Sequence, residues 1–459
     1  MEKYDRQLRL WGDNGQSYIE SANICIIGPH NPLLQETLKN LILPGFKKFN
    51  WLNTSDSSNI QSNNNNDLFF NDINDILKLN EDKVELSIEL WNNSIDKSFW
   101  KNFQILIILS INDKSIISYF DNLLSLPKND NDSLYLPPII LAHSIGLFGY
   151  VHLKFFNPHF ILETHPDYPR YDLILDKPWP QLKQFMDKLD LTNLNDSLIS
   201  QLPYVVFLYK AIEAIPNNEI KSTTSIKNWL GNIDLPINNG NLNFIQAKRY
   251  SYLAFYDTES EARILKILKD AVKFESESNL WRDNFNNNVI KLVKCFKIYL
   301  DEFKFIPING EIPDMESKSE YFIELEKVYR AKSESDKEKF KGITRQNCPE
   351  IPDDFINLFW KNIRNIAFVK PSKKPIHYIW DTSDLLFRDL LELQFGTENN
   401  VQMDEKFQLS LVVNSYSTSS IIAGIAAQEV LKVITHQYVP VDDALVYNGL
   451  DDEINTFSI

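Results

Sequence analysis

Short, continuous apolar runs are the feature of this sequence that most restricts its fold. Residues 24–28 read Ile-Cys-Ile-Ile-Gly, residues 105–109 read Ile-Leu-Ile-Ile-Leu, and residues 139–142 read Ile-Ile-Leu-Ala. Runs this short, without an internal polar position, are typical of strands buried on both faces of a parallel sheet. We therefore predict a buried strand at each of these three places.

The segments between these runs have the patterns of helices and turns. Apolar residues recur at helical spacing over residues 33–42, and Pro44-Gly45 supplies a stop signal. Residues 49–52, Phe-Asn-Trp-Leu, then predict the second strand of a β-α-β unit. Residues 53–66 carry almost no apolar side chain, which predicts a disordered loop. Alternating strands and helices over residues 1–150 favour a doubly wound, mainly parallel α/β sheet.

The middle of the chain has a different pattern. From about residue 165, apolar residues recur at helical spacing, as in residues 289–303 and 322–329. The alternation of strands and helices then returns near the end of the sequence. It predicts a strand at 409–413, a helix at 420–435, and a short strand at 444–447 that ends the chain. We therefore predict a discontinuous α/β domain, residues 1–160 and 401–459, interrupted by a mostly helical insertion, residues 161–400.

Small residues mark the predicted helix at 420–435. Ala423, Gly424, Ala426 and Ala427 would let another backbone approach closely. Two interpretations stay open at this point. The helix is either an ordinary buried helix or part of a contact surface with another subunit.

The charge balance limits the partners of the chain. It has 47 basic and 62 acidic residues, a formal net charge of −15, which argues against a general nucleic-acid or anionic-membrane surface. The N-terminus lacks the apolar stretch of a secretory signal, and no apolar run is long enough to cross a bilayer. We expect a soluble intracellular protein with no nucleic-acid or membrane partner.

Several segments resemble one enzyme family, the enzymes that activate ubiquitin-like modifiers. The general signatures are Tyr-Asp-Arg-Gln-Leu-Arg-Leu-Trp-Gly at residues 4–12, Leu-Lys-Asn-Leu-Ile-Leu-Pro-Gly at 38–45, the helix at 424–435, and Tyr-Asn-Gly-Leu at 447–450. Residues 163–167, 172–182 and 312–332 resemble more specifically the regulatory subunit of the heterodimeric neddylation-activating enzyme.

This resemblance implies a fold, a function and partners. It implies a Rossmann-like, pseudo-adenylation domain in a regulatory subunit that is not catalytic alone. The subunit would pair with a catalytic subunit, help bind a Nedd/Rub-type modifier, and act upstream of cullin neddylation. ATP, magnesium and the acceptor thiol would belong to the partner, and this chain would bind no cofactor by itself. The implied location is cytoplasmic and nuclear.

The expected nucleotide loop departs from the family pattern. In family members with a working site, a strand is followed by Gly-x-Gly-x-x-Gly and then by a helix. The glycines let phosphates approach backbone N–H groups at the helix N-terminus. After Gly28, this chain has His30 and Leu33 at the second and third glycine positions, and Pro29 and Pro32 remove two N–H donors. Asn-Thr-Ser follows the second strand where an acidic residue is expected. We therefore predict that this loop binds no nucleotide.

Arg6 is the residue to which the resemblance assigns a catalytic role. In the family, the arginine of Tyr-Asp-Arg reaches from one half of the adenylation core to phosphates bound by the other half, where a guanidinium stabilises negative charge. The alternative is a surface Arg6 paired with Asp5. Trp11 is predicted to be a packing anchor, and Arg9 an ion-pair or interface residue.

The cysteines and histidines do not form a recognisable catalytic or metal motif. Cys25 is predicted to be buried in the first strand, and Cys295 to pack beside the apolar face of residues 289–303. Cys348 is the candidate for a reactive thiol, in an exposed loop, but no histidine is near it in sequence. No His-x-x-x-His or His-Glu-x-x-His pair is present, so no metal site is predicted.

Three other functions are alternatives. A self-sufficient homodimeric adenylating enzyme of the sulfur-carrier-activating type needs the intact glycine loop. A dinucleotide-dependent oxidoreductase needs the same glycines and an acidic residue after the second strand. The equivalent subunit of a sumoylation-activating enzyme would share the fold, but residues 163–167 and 312–332 resemble the neddylation subunit instead.

Overall fold

The chain forms two compact units. The first comprises Met1–His165, Lys273–Asn287 and Ala367–Ile459, and the second comprises Pro166–Val272 and Asn288–Ile366. The computed structural model describes residues 4–55, 73–80, 82–109, 114–125, 136–167, 171, 173–189, 191, 196–216, 221–233, 241–276, 284–372, 416–441, 444–449 and 451–457. Within this part of the chain, none of the helices combines the length and the apolar character that a membrane span requires.

The elements are numbered in chain order. The strands are β1 (Asn23–Gly28), β2 (Lys48–Asn53), β3 (Glu85–Leu90), β4 (Ile105–Ile108), β5 (Ile139–Ile145), β6 (Phe148–Lys154), β7 (His159–Ile161), β8 (Ala367–Val369), β9 (Ala444–Asn448) and β10 (Glu453–Phe457). The helices are α1 (Asp5–Ser21), α2 (Pro32–Ile42), α3 (Lys114–Ser125), α4 (Pro180–Asp187), α5 (Asp196–Ile199), α6 (Tyr204–Ala214), α7 (Thr223–Asn232), α8 (Leu242–Arg249), α9 (Thr258–Ser276), α10 (Asn284–Phe303), α11 (Ser319–Asn347), α12 (Asp353–Asn362) and α13 (Tyr416–Thr435).

An eight-stranded sheet organises the first unit, in the order β10-β9-β6-β5-β4-β1-β2-β3. The strands from β3 to β5 in that order run parallel to one another, and β6, β9 and β10 add antiparallel pairs at one side. The predicted mainly parallel α/β sheet is therefore confirmed. A separate two-stranded sheet pairs β7 with β8.

The alternation of side chains along β1 explains why this strand is apolar throughout. Ile24 and Ile26 enter a core on one face of the sheet, which α1, α2 and α13 cover. Cys25 and Ile27 enter a second core on the other face, together with residues of α3. A strand buried on both faces has no position for a polar side chain, and this is the pattern that the sequence shows.

The C-terminal hairpin differs from the prediction. The sequence predicts that the strand at 444–447 ends the chain, but β9 is followed by β10, and the two strands pair antiparallel. The prediction was wrong because β10 is a sheet edge with mostly polar residues and an exposed Ile454, so it carries no buried-strand signal. The predicted strand at 409–413 and most of the predicted loop at 53–66 lie outside the described residues.

The second unit is built mainly from helices α4 to α12. Val289, Val293 and Phe296 of α10 are fully buried, which agrees with the predicted apolar face of this helix. On α11, Leu325 and Tyr329 are also fully buried, and the Tyr329 hydroxyl donates to the Leu173 carbonyl at 2.7 Å. The domain boundaries predicted at 160/161 and 400/401 remain predictions.

Candidate functional site

The turn after β1 is filled by groups of the chain itself. The Gly28 carbonyl accepts a hydrogen bond from the Trp51 indole N–H at 2.9 Å and another from the Thr54 amide at 3.2 Å. A Cβ on Gly28 would come within 2.9 Å of the Leu109 Cβ. Gly28 is therefore required for close packing against the chain after β4, and Trp51 covers the end of its strand.

The N-terminus of α2 already has acceptors for its amides. The Asn31 side chain caps the helix by accepting from the Leu34 amide at 2.9 Å, and the Asn31 carbonyl accepts from the Gln35 amide at 3.2 Å. Pro32, the first residue of the helix, has no N–H. Leu33 is 2% exposed and belongs to the core. At this end of the helix, the Leu34 amide is therefore capped by the chain itself, and Pro32 offers no donor to an anion.

Two further side chains complete this turn. His30 lies beside Trp51, with 6.1 Å between ring centroids, and its Nε2 is 3.2 Å from the Gln35 side-chain nitrogen. Asn53, at the end of β2, is 6% exposed, and its Oδ1 accepts from the Ser55 amide at 2.9 Å. The position expected to hold an acidic residue thus carries an amide turned onto the backbone.

These residues do not fit a bound nucleotide with its metal. Among the described residues of this turn, Pro32 has no N–H, the Leu34 amide is capped, and Asn53 stands where a carboxylate for ribose or magnesium would be needed. In the described part of the chain, no cluster of three His, Cys, Asp or Glu side chains is arranged to hold a metal ion.

The N-terminal signature forms a kinked helix that is anchored to the sheet domain. Gly12 has φ +68° and ψ 177°, and this left-handed residue interrupts α1. The Gln437 side chain donates to the Trp11 carbonyl at 2.9 Å, next to the kink. The Trp11 indole donates to Gln16 at 3.0 Å, and Gln16 donates to the Pro44 carbonyl at 3.1 Å. Trp11 also packs against the core, as predicted for an anchor.

Tyr4 makes a second contact between the signature segments at 4–12 and 38–45. The Asn80 side-chain amide donates to the Tyr4 hydroxyl and to the Ile42 carbonyl, both at 3.0 Å. Gly45 has φ +120°, and the Tyr4 ring lies 3.3 Å from the position that a Cβ on Gly45 would take. The two segments, 26 or more residues apart in sequence, therefore meet around a glycine that no other residue could replace without strain.

Arg6 lies exposed on the outer side of this anchored helix. The alternative in which Arg6 pairs with Asp5 is wrong, because the Asp5 carboxylate accepts instead from Arg9, four residues later, at 3.0 Å. This pair agrees with the ion-pair role predicted for Arg9. Within the described residues, no hydrogen bond or ion pair engages the Arg6 guanidinium. Its charge is free to meet a ligand outside this chain.

Helix α13 uses its small residues inside the first unit. Ala423, Ala426 and Ala427 are buried in the core, whereas a Cβ on Gly424 would meet no atom within 4 Å. Ile422 packs against Gly149 of β6 so closely that a Cβ on Gly149 would lie 2.3 Å from the Ile422 side chain. The buried-helix interpretation therefore holds for the alanines.

The three cysteines have different surroundings. Cys25 is fully buried in β1, and burial raises the pKa of its thiol well above the usual value. Cys348 directly follows α11 and is half-buried, less exposed than the sequence predicts. Its Sγ lies 3.9 Å from the Sγ of Cys295. Sequence spacing could not reveal this contact, because Cys295 lies on α10 and Cys348 follows a different helix, α11.

Comparison with known proteins identifies the relatives of the chain. No family model matches it. The NEDD8-activating enzyme E1 regulatory subunit of Saccharomyces cerevisiae is 30% identical over all of both chains. The subunit of the same name from Danio rerio is 25% identical over 100% of this chain and 98% of its own length.

Solved structures give only a partial match. The Escherichia coli MccB structure with ATP is 12% identical over 33% of this chain and 46% of the MccB chain, with a TM-score of 0.23. The full-length match to the yeast protein decides the assignment. The chain belongs to the family of NEDD8-activating enzyme E1 regulatory subunits.

Proposed function

We propose that this regulatory subunit forms a heterodimer with a catalytic subunit and completes the adenylation site for a Nedd/Rub-type modifier. The catalytic subunit would hold ATP and magnesium and would accept the modifier on its own thiol. This chain would also help bind the modifier, upstream of cullin neddylation, in the cytoplasm and nucleus. The observation that carries the proposal is the free Arg6 guanidinium on an anchored helix. In the same chain, side chains of the chain itself fill the turn after β1, where a nucleotide would be expected.

The first part of the proposal is that the chain binds no nucleotide itself. Trp51 and Thr54 occupy the Gly28 carbonyl, and Asn31 occupies two amides of α2. A phosphate that accepted from the Leu34 amide would have to displace the Asn31 side chain, whose oxygen would then lose its partner at a cost of about 1–3 kcal/mol. Such a loss opposes binding at this place.

The second part is that Arg6 acts in trans. A guanidinium is permanently charged and presents several N–H donors in one plane, which suits phosphate oxygens. Tyr4 and Trp11 fix the two ends of the segment that carries Arg6, so its position relative to the sheet domain is set before a partner binds. An arginine held in this way would stabilise negative charge on phosphates in the partner's site with little reorganisation.

Replacement of Arg6 tests this role in the assembled heterodimer. We expect Arg6→Ala to leave the heterodimer intact by light scattering and to slow modifier-dependent exchange of pyrophosphate into ATP by about 100-fold, the usual cost of one charge-stabilising donor. Arg6→Lys should recover only part of the rate, because an ammonium lacks the planar donor set.

Arg9→Ala is the matched control, because Arg9 is an exposed arginine on the same helix whose partner is Asp5. We expect its exchange rate to stay within a few-fold of the unmodified enzyme. An Arg6→Ala heterodimer with unchanged exchange kinetics would rule out the trans-acting role. Loss of the heterodimer itself would instead assign Arg6 to the subunit contact.

A further inference from the structure

Two cysteines meet in the second unit although 53 positions separate them. Cys295 lies on α10 and is 1% exposed, whereas Cys348 follows the last residue of α11 and is half-buried. Their sulfur atoms are 3.9 Å apart, which is direct contact. The third cysteine, Cys25, is fully buried in β1 of the first unit. Of the three thiols in the sequence, only this pair belongs to one unit.

The backbone around the pair is well held. The Cys348 amide donates to the Thr344 carbonyl at 2.7 Å, and its carbonyl accepts from the Ile351 amide at 3.3 Å. An ion pair of 2.6 Å joins Lys291, one turn before Cys295, to Glu350, two residues after Cys348. These contacts hold the two sulfur-bearing segments beside each other before any bond forms.

The two thiols differ in accessibility. Burial, together with the neighbouring Cys348, raises the pKa of the Cys295 thiol to about 12, so Cys295 stays protonated at neutral pH. Cys348 is the more exposed residue of the two. An attacking reagent therefore meets Cys348 first, and Cys295 is the neighbour that can respond.

We propose that Cys295 and Cys348 form a reversible dithiol–disulfide site, oxidised by a small hydroperoxide. In the first step with hydrogen peroxide, the Cys348 sulfur attacks one peroxide oxygen and the O–O bond breaks. Cys348 becomes a sulfenic acid and one water leaves. The Cys295 sulfur then loses its proton as it attacks the Cys348 sulfur, the S–O bond breaks and the disulfide forms, and the hydroxide that leaves takes up this proton to give a second water. Two electrons pass from the thiols to the peroxide.

The disulfide would join two elements of the second unit. Cys295 lies within α10, and Cys348 directly follows α11. The resulting bond would tie α10 to the end of α11 and restrict the unfolded chain, so oxidation should raise the melting temperature of the second unit.

Peptide mapping of the full chain tests the proposal. After treatment with hydrogen peroxide and digestion with trypsin under non-reducing conditions, we expect residues 295–297 linked to residues 346–361. The linked mass should be lower by two hydrogen atoms than the sum of the reduced peptides. Dithiothreitol should separate the peptides, and Cys348→Ser and Cys295→Ala should each abolish the link completely. Cys25→Ser, the matched control, should retain it.

A second measurement detects the pair without oxidation. Phenylarsine oxide condenses with two adjacent thiols and releases water, so the reduced chain should bind one equivalent that Cys348→Ser does not bind. Three results would overturn the proposal: Cys348 oxidised to sulfinic acid without a link, a link found only between two chains, or neither cysteine modified. Failure of the arsenical to bind would likewise contradict the sulfur contact.

Discussion

Glu36 places a carboxylate between α2 and α13, where it is only 4% exposed. Its oxygens accept hydrogen bonds from the Tyr416 hydroxyl, from Ser420 at 3.1 Å and from Lys39 at 3.3 Å. Burial by itself would raise the pKa of this carboxyl, but these hydrogen bonds outweigh burial and hold the pKa below its usual value. The charged form is therefore the one that the folded chain stabilises.

We expect Glu36→Gln to lower the free energy of unfolding by about 1–3 kcal/mol, since charge-assisted bonds to α13 are lost. Urea unfolding at pH 7 measures this change. Because the folded pKa of Glu36 lies below the unfolded value, its contribution is complete above the unfolded pKa and disappears as the pH falls through the folded pKa. Glu324→Gln, at an exposed ion pair with Lys188, should cost less than about 1 kcal/mol. Equal effects of the two substitutions would contradict the role of burial.

The buried His159 leads to a second prediction at the residue scale, on the pH dependence of stability. Its imidazole stacks on His436 with 4.5 Å between ring centroids and lies 5.0 Å from the Phe155 ring, and Asn286 approaches its Nδ1 at 3.5 Å. Burial, and then the neighbouring His436, lower the pKa of His159 well below its usual value of 6.5. The folded chain therefore keeps this ring neutral under conditions in which the unfolded chain would bind a proton.

The sign of the pH effect follows directly. Below pH 6.5 the unfolded state binds the extra proton, so the free energy of unfolding should decrease as the pH falls, by up to about 1.4 kcal/mol per pH unit from this group. His159→Phe preserves an aromatic ring in the stack and should reduce that slope. Urea titrations between pH 6.5 and 5 compare the two proteins. The same slope in both would show that His159 does not contribute.

At the scale of whole elements, the contact between α13 and β6 depends on Gly149. A Cβ on Gly149 would come within 2.3 Å of Ile422 and 3.0 Å of the His143 carbonyl. We expect Gly149→Ala to lower the free energy of unfolding by about 1–3 kcal/mol, the usual cost of overpacking a core. Gly424→Ala, on the helix itself, meets open space and should raise it by up to about 1 kcal/mol. Denaturant unfolding of both variants measures the difference, and the same sign for both would contradict this packing.

Strand segments with an uninterrupted apolar run were predictable from the sequence. Residues 24–27 of β1, 105–108 of β4 and 139–142 of β5 are buried on both faces of the sheet, so these runs contain no polar side chain. In contrast, β3 and β10 are sheet edges where most residues are exposed, and their composition resembles that of a loop. The contact between Cys295 and Cys348 was also unpredictable, because it depends on how α10 packs beside the end of α11.

At the scale of the whole molecule, the sequence predicted that the turn after β1 binds no nucleotide, but it did not predict which side chains fill this turn. The prolines, His30 and Leu33 were visible as departures from a glycine pattern. The bond from the Trp51 indole to the Gly28 carbonyl depends on the pairing of β1 with β2, because only this pairing brings the two residues together. The bond from the Ser55 amide to the Asn53 side chain is local, since the two residues are two positions apart.

The filled turn leads to a prediction about ligand-linked stability. A ligand that binds only the folded state stabilises it by RT ln(1 + [L]/Kd), about 2.7 kcal/mol when its concentration is 100 times Kd. We expect Mg-ATP to leave the melting temperature of the isolated chain unchanged, and to raise that of the heterodimer. Differential scanning calorimetry of both samples, with Mg-AMP as a matched ligand control, measures these shifts. A saturable increase for the isolated chain that is lost on replacing Trp51 would place a nucleotide at its own turn, and the proposal that the partner alone holds ATP would then fail.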